Sequence, residues 1–305
     1  MIERMLAAAF PGRRVLAAEP LAGGLRNTNL KVELDGSPSP LVLRIYRHDP
    51  VLCQKELDLF RLLDGRVPIP QIVHAEPAGL DGLPPFTVHL YIEGITLREL
   101  KRTGDRKALA QAAYSAGETL AAIGSVRFEK PGWIPAGGTI ETPSFIDQCL
   151  ASPVAQKRLP AEVRDRASAL AWSAAPQLAL SDREAHLVHG DYGKRNLLVR
   201  CSGGRWSIAG VLDWEFAISG SPLIDVGHLL RYERAARPLL EPHFSKGYTA
   251  AGGVLPDGWR LLSQIIELAA LCELLTHDPL PPDIIAEVVE VVQRTVAQFS
   301  LGSSA

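Results

Sequence analysis

The sequence predicts an α+β fold, with strands concentrated before about residue 90 and helices dominating the remainder. Three observations carry this. Apolar residues alternate at period two between Ala18 and Arg47, as in Leu30, Val32 and Leu34, which is the pattern of half-buried strands. Leu109, Ala113, Ala116, Leu120 and Ile123 recur at helical spacing across residues 104–124, which places them on one face of a helix. Two short apolar runs, Leu197–Val199 and Ile208–Leu212, flank Ser202-Gly203-Gly204 and read as a β-hairpin.

Taken in order, residues 1–14 form an amphipathic opening helix, and the strand region follows. Gly23 and Gly24 mark a turn before the strand carrying Leu30. Glycines let backbone amides approach phosphate oxygens, and Asn27 and Thr28 add side-chain donors there; an ordinary hairpin turn is the competing reading. Asp35-Gly36 turns the chain into a strand over Leu41–Tyr46 that contains Arg44. Val51, Leu57, Phe60 and Leu63 form the apolar stripe of the next helix, whose Glu56 lies twelve residues after Arg44 and within reach of it. A solvated helix acid is the alternative for Glu56. Proline breaks the chain at Val67–Pro70, a strand returns over Phe86–Ile92, and Thr96–Leu100 begins the helical region. After the 104–124 helix, Pro131-Gly132-Trp133 and a Gly-Gly turn lead into helical segments from Pro143 to about Ala175.

The chain has 305 residues, of which 47% are hydrophobic and 22% charged, enough to bury a sizeable core. Its 32 basic residues stand against 34 acidic ones, a formal charge of -2, which supplies no general attraction to nucleic acid or an anionic membrane. Any phosphate site is therefore local. Cys53, Cys149, Cys201 and Cys272 form no Cys-x-x-Cys pair, which argues against a zinc site or disulfide framework and fits a reducing cytoplasm. The longest apolar stretch, Ile265–Leu275, is interrupted by Glu267 and Glu273 and is too short to span a bilayer.

The chemistry concentrates at the polar ends of the hairpin. His189, Asp191 and Asn196 precede its first strand, and Asp213 follows its second. Phosphoryl transfer needs this set: one carboxylate orients the attacking hydroxyl, while an amide and a second carboxylate hold magnesium against phosphate oxygens. His-Gly-Asp, four residues, Asn and a later Asp together resemble the aminoglycoside phosphotransferase and choline kinase family, which has a protein-kinase-like fold. The resemblance implies two lobes, a small β-rich nucleotide-binding lobe over residues 1–90 and a larger, mostly helical catalytic and acceptor-binding lobe over residues 91–305.

By that resemblance, Asp191 is the catalytic base, Asn196 and Asp213 bind Mg2+, and ATP or GTP is the co-substrate. Arg44 stands where the family usually has a lysine on the α and β phosphates, and it keeps the charge while adding a planar fork. Leu90, Tyr91 and Ile92 become the hinge whose backbone meets the base edge. His189 braces the loop, Asp225 holds it from a following helix, and Lys194 reaches toward the γ-phosphate, a solvated loop lysine being the alternative. The acceptor is a small hydroxyl-bearing molecule. A cationic acceptor would need acids and aromatic faces, for which Trp214, Glu215, Phe216, Tyr232, Glu233, Trp259, Glu267 and Glu273 are candidates. The rival reading is a catalytically inactive, nucleotide-binding scaffold, kept open by Arg44 in place of lysine.

Overall fold

The computed structural model describes residues 1–21, 27–134, 141–233 and 237–300; Gly23 and Gly24, expected to form a loop over phosphates, lie outside them. By packing, the chain divides into two compact units, Met1–Thr103 with Arg195–Glu215, and Gly104–Lys194 with Phe216–Ala305. In the first unit Ile95 and Thr96 pair with Val199 and Leu198 of the hairpin, which joins the segment after residue 90 to residues 195–215.

The first unit starts with helix α1 (Ile2–Ala9) and strands β1 (Val15–Pro20), β2 (Thr28–Leu34) and β3 (Leu41–Ile45). Helix α2 (Val51–Leu63), strands β4 (Ile72–Glu76), β5 (Phe86–Leu90) and β6 (Ile95–Thr96), and helix α3 (Leu97–Thr103) follow. The second unit takes α4 (Arg106–Gly124), β7 (Gly132–Trp133), α5 (Thr142–Ala151), α6 (Pro153–Arg158), α7 (Ala161–Ser173), α8 (Ala175–Ser181) and β8 (His186–Val188). The chain returns to the first unit for β9 (Leu197–Ser202) and β10 (Arg205–Val211). It ends in the second with β11 (Ile218–Gly220), α9 (Leu223–Leu230), α10 (His243–Ala250), α11 (Trp259–Leu274) and α12 (Pro282–Ser300).

Among the described residues, the first unit's main sheet is antiparallel in the order β1-β2-β3-β5-β4. The alternation in the sequence decides its two faces. Leu30, Val32 and Leu34 of β2 and Leu41, Leu43 and Ile45 of β3 are buried with Phe86, Val88 and, from α1, Met5 and Leu6. Each such side chain contributes roughly 1.5–3 kcal/mol on burial, so a one-residue slip that exposed this face is strongly disfavoured. Strand alternation then turns Arg44 to the opposite face, where its register partners are Asn29 and Thr87. Helix α2 buries Cys53, Leu57, Phe60 and Leu63, but Val51 is 74% exposed. Val51 opens the helix, so the inward stripe begins at Cys53, two residues later than the sequence pattern suggests.

The β9–β10 hairpin closes through Gly203 and Gly204, at φ of 57° and 77°. Two successive left-handed residues are what a two-residue type I′ turn requires, and Ser202 pairs directly with Arg205. In the second unit, α4 starts at Asp105, whose carboxylate accepts the Ala108 N–H at 2.9 Å, and its inner face buries Leu109, Ala113, Ala116, Leu120 and Ile123. Helix α11 packs on α9 and α5. No helix among the described residues is long and apolar enough to cross a membrane.

Candidate active site

The first unit carries a buried chain of polar groups. Arg44 Nη2 donates to Glu56 Oε1 at 2.7 Å and to Asp213 Oδ1 at 2.9 Å. The Tyr46 hydroxyl donates to Glu56 Oε2 at 2.6 Å and stands 3.4 Å from Thr87 Oγ1, which is 2.7 Å from His89 Nε2. Sequence spacing anticipated the Arg44–Glu56 contact, whereas Tyr46, Thr87 and His89 had no periodic signal to reveal them. Burial is the largest influence throughout: it raises the pKa of Glu56, against Arg44 and the Tyr46 hydrogen bond, and it lowers His89 to about 4. For Arg44 burial works against the charge, but Glu56, Tyr46 and Asp213 outweigh it and raise the pKa. Arg44 is thus held cationic beside two carboxylates.

The two expected metal ligands sit at one end of the hairpin. Asn196 precedes β9 and Asp213 follows β10, and the Leu212 N–H donates to the Asn196 carbonyl at 2.8 Å, tying the two ends together. Asp213 has φ of 63°, a left-handed conformation uncommon for aspartate and found where surrounding structure over-determines it. Here the fixed backbone and Arg44 together aim the carboxylate. Asn27 is buried and donates from Nδ2 to Glu215 Oε2 at 3.3 Å, while its Oδ1 has no partner among the described residues. Thr28 opens β2 opposite Ile45. Lys55, which sequence reasoning missed, lies beside Glu56 and donates to the Glu215 carbonyl at 2.8 Å. Of the residues expected to form a hinge, the Leu90 N–H is bonded to Gln71 O at 2.9 Å and the Tyr91 N–H to Pro40 O at 3.2 Å, so those two amides are engaged.

The second unit holds the loop that carries Asp191. Asp225 is fully buried, and its two carboxylate oxygens accept the backbone N–H groups of His189 at 2.7 Å and Gly190 at 2.9 Å. It is the third residue of α9 and braces the loop instead of capping the helix. Gly190 has φ of 79°, and a Cβ there would stand 2.3 Å from the Phe216 carbonyl oxygen, so only glycine fits. His189, also buried, accepts the Asp191 N–H on Nδ1 at 3.1 Å. His228 Nε2 lies 2.7 Å from Asp191 Oδ1, and Nδ1 of the same ring lies 3.7 Å from Glu267 Oε2. Nothing in the sequence spacing linked His228 or Glu267 to the loop. Lys194, one residue later than the kinase lysine, donates from Nζ to the Leu229 carbonyl at 2.5 Å and lies over the Tyr232 ring, which ties it to the end of α9.

Burial pushes Asp225 up to about 7, against the hydrogen bonds from His189 and Gly190 and the charge of His228, with Asp191 adding to the rise. An unfolded aspartate ionises near pH 4. Between those values the folded chain binds a proton at Asp225 that the unfolded chain has released. The stabilisation is therefore complete below about pH 4 and is lost as pH rises through about 7. Asp225→Asn removes the titration. Calorimetric Tm values at about pH 5 and about pH 8 should show a larger fall for the unmutated chain than for Asp225→Asn, and equal falls would place the proton elsewhere.

Residues 17–263 match the phosphotransferase enzyme family, APH. No curated protein matches the sequence. Among solved structures, the chain is similar to the GDP complex of wild-type aminoglycoside 2'-phosphotransferase-IIIa, with TM-score 0.74 and 19% identity over 97% of this chain and 98% of that one. It is also similar to a thermostable mutant of aminoglycoside phosphotransferase APH(4)-Ia in a ternary complex with AMP-PNP and hygromycin B, with TM-score 0.67 and 19% identity over 100% of this chain and 99% of that one. At such identities the likeness establishes the mixed α+β, kinase-like fold. The family match runs from β1 into α11 and takes in both the Arg44 network and the Asp191 loop, so the chain belongs to the phosphotransferase enzyme family and is a small-molecule phosphotransferase acting on a hydroxyl group.

Proposed function

We propose that the chain transfers the γ-phosphoryl group of ATP or GTP to a hydroxyl of a small molecule, with Asp191 orienting that hydroxyl and accepting its proton. The observation that supports this most is how Asp191 is held. The loop backbone on its N-terminal side is fixed by Asp225 and His189, while His228 contacts one carboxylate oxygen. A carboxylate positioned in this way needs no rearrangement before it accepts a proton.

On the nucleotide side, Arg44, steadied by Glu56, is the cation for the triphosphate, with Gly23, Gly24, Asn27 and Thr28 as the loop over the phosphates. The hinge Leu90–Ile92 takes the base edge through Ile92. Asn196 and Asp213 would hold Mg2+. An amide oxygen and a carboxylate are hard oxygen donors, and the described residues contain no cluster of three His, Cys, Asp or Glu. That donor set suits magnesium, which relies on one or two protein ligands plus phosphate oxygens and water. When bound, the ion neutralises charge developing on the phosphates. Acceptor recognition falls to the helices of the second unit.

Thermal shift tests the nucleotide assignment. Magnesium with a nonhydrolysable ATP or GTP analogue should raise Tm well beyond the analogue alone, because ligands that bind only the folded state stabilise it by mass action. Equal shifts with and without a chelator would remove Asn196 and Asp213 as metal ligands.

A further inference from the structure

Within the second unit a cavity of about 400 Å³ opens between the end of α9, the first turns of α11 and the last turns of α12, a size suited to a small molecule. Glu267 lines it and connects it to the catalytic loop, through His228 to Asp191. Its charge is unlike that of a site for a polycation. Four arginines, Arg231, Arg237, Arg260 and Arg294, line it against Glu233, Glu241 and Glu267.

Each of those acids already has partners. Glu267 is paired with Arg231, and Glu241 with Arg260 and the Ser245 N–H. Glu233 accepts the backbone N–H groups of Leu240 and Glu241 through Oε2. Arg294 is paired with Glu290, outside the lining. Two lining groups stand differently. Arg237 has no hydrogen bond or ion pair among the described residues, and Gln264 Oε1 is buried with no hydrogen-bond partner among them. A buried acceptor without a donor is rare in folded proteins and calls for one. A guanidinium fork at the same cavity matches a carboxylate in two parallel hydrogen bonds.

We propose that this cavity takes the acceptor of the reaction and that the acceptor is a hydroxylated carboxylic acid, not a polyamine sugar. Its carboxylate pairs with Arg237 and one of its hydroxyls donates to Gln264 Oε1. A polycation entering the same space meets guanidinium groups and finds Glu241 and Glu267 already paired with arginines and Glu233 engaged by backbone N–H groups, a mismatch that works as rejection. The assignment of this cavity to the acceptor rests on the phosphotransfer function proposed for the chain; its preference for an acid rests on the lining alone.

The test is calorimetric titration of the full chain, with the magnesium-bound nonhydrolysable nucleotide present, using D-glycerate, D-gluconate and D-glucarate, their uncharged counterparts glycerol and D-glucose, and kanamycin. At least one acid should bind saturably, its Kd rising at least about tenfold in both Arg237→Ala and Gln264→Leu, while the uncharged compounds and kanamycin bind far more weakly. Arg237 is exposed and Gln264→Leu keeps the side-chain volume, so unchanged Tm values will certify that both variants fold. Kanamycin binding more tightly than every acid, no acid binding, or acid binding indifferent to both variants would overturn the proposal. Nucleotide consumption is read separately. An acid that binds at this lining without being phosphorylated is a ligand and not the acceptor, which overturns the proposal and leaves Asp191 untouched, whereas kanamycin-dependent consumption supports Asp191 and overturns the acid.

Discussion

Asp191→Asn should lower kcat by on the order of a hundred to ten thousand fold, the usual worth of a positioned general base, and leave nucleotide affinity nearly unchanged. The exchange preserves shape. The backbone hydrogen bonds that hold the loop, from His189 and Gly190 to Asp225 and from Asp191 to His189, do not involve the Asp191 side chain, so the fold around it stays in place while the proton acceptor is lost. Asp213→Asn should behave differently. It removes an anionic donor from the Asn196 end of the hairpin and one of the two carboxylates beside Arg44, so both magnesium-nucleotide binding and turnover should fall. Calorimetry for binding and steady-state kinetics for turnover separate the two carboxylates. Retained turnover in Asp191→Asn would require the loop from His189 to Asn196 to be reassigned as a whole.

Arg44→Ala should cost about 3–5 kcal/mol of stability, the range seen when one partner of a buried ion pair is removed. Glu56 is 2% exposed, and the Tyr46 hydroxyl is the hydrogen-bond donor it keeps when Arg44 is gone. The carboxylate must then take up a proton or stay buried with its charge uncompensated. Arg44→Lys should recover much of the loss, because charge and approximate reach survive, although a single ammonium cannot reproduce a guanidinium. Triphosphate use should follow the same order. Urea unfolding with nucleotide kinetics provides the check: if Arg44→Ala unfolds within about 0.5 kcal/mol of the unmutated chain, the range of an ordinary surface change, the Arg44–Glu56 pair contributes nothing in solution.

The features legible in the sequence were those with a period or a short spacing. Leu30, Val32 and Leu34 announce β2 because side chains alternate across a strand, and the Gly203-Gly204 turn announces the hairpin because few other residues tolerate two successive left-handed positions. The Arg44–Glu56 pair was within reach for a similar reason, since a strand and the helix after it bring residues twelve apart together. His228 on Asp191 and Tyr46 on Thr87 were not legible. They are separated by 37 and 41 residues, and their meeting is set by how α9 and β5 pack, which leaves no local pattern. Lys194 shows the opposite limit: its place near the loop was clear, but a spacing cannot say which way a flexible side chain turns, and the contact with the Leu229 carbonyl was not legible. Trp214 and Glu215 were candidates for a cationic acceptor, yet Trp214 is fully buried and Glu215 accepts from Asn27.

The chain's double passage between units, out at Arg195 and back at Phe216, bears on how the protein is made. Neither unit is a continuous stretch of sequence. During synthesis the five-stranded sheet of the first unit emerges early, but the β9–β10 hairpin leaves the ribosome only after the segment from α4 to β8, so domain-by-domain folding in order of synthesis cannot finish the first unit early. Until then β6 lacks its partner at Val199, Pro68 lacks the Val211 N–H, and Arg44 lacks Asp213. A nascent chain halted before Arg195 is therefore an unfinished unit with an exposed pairing edge at β6, the kind of edge on which intermediates associate.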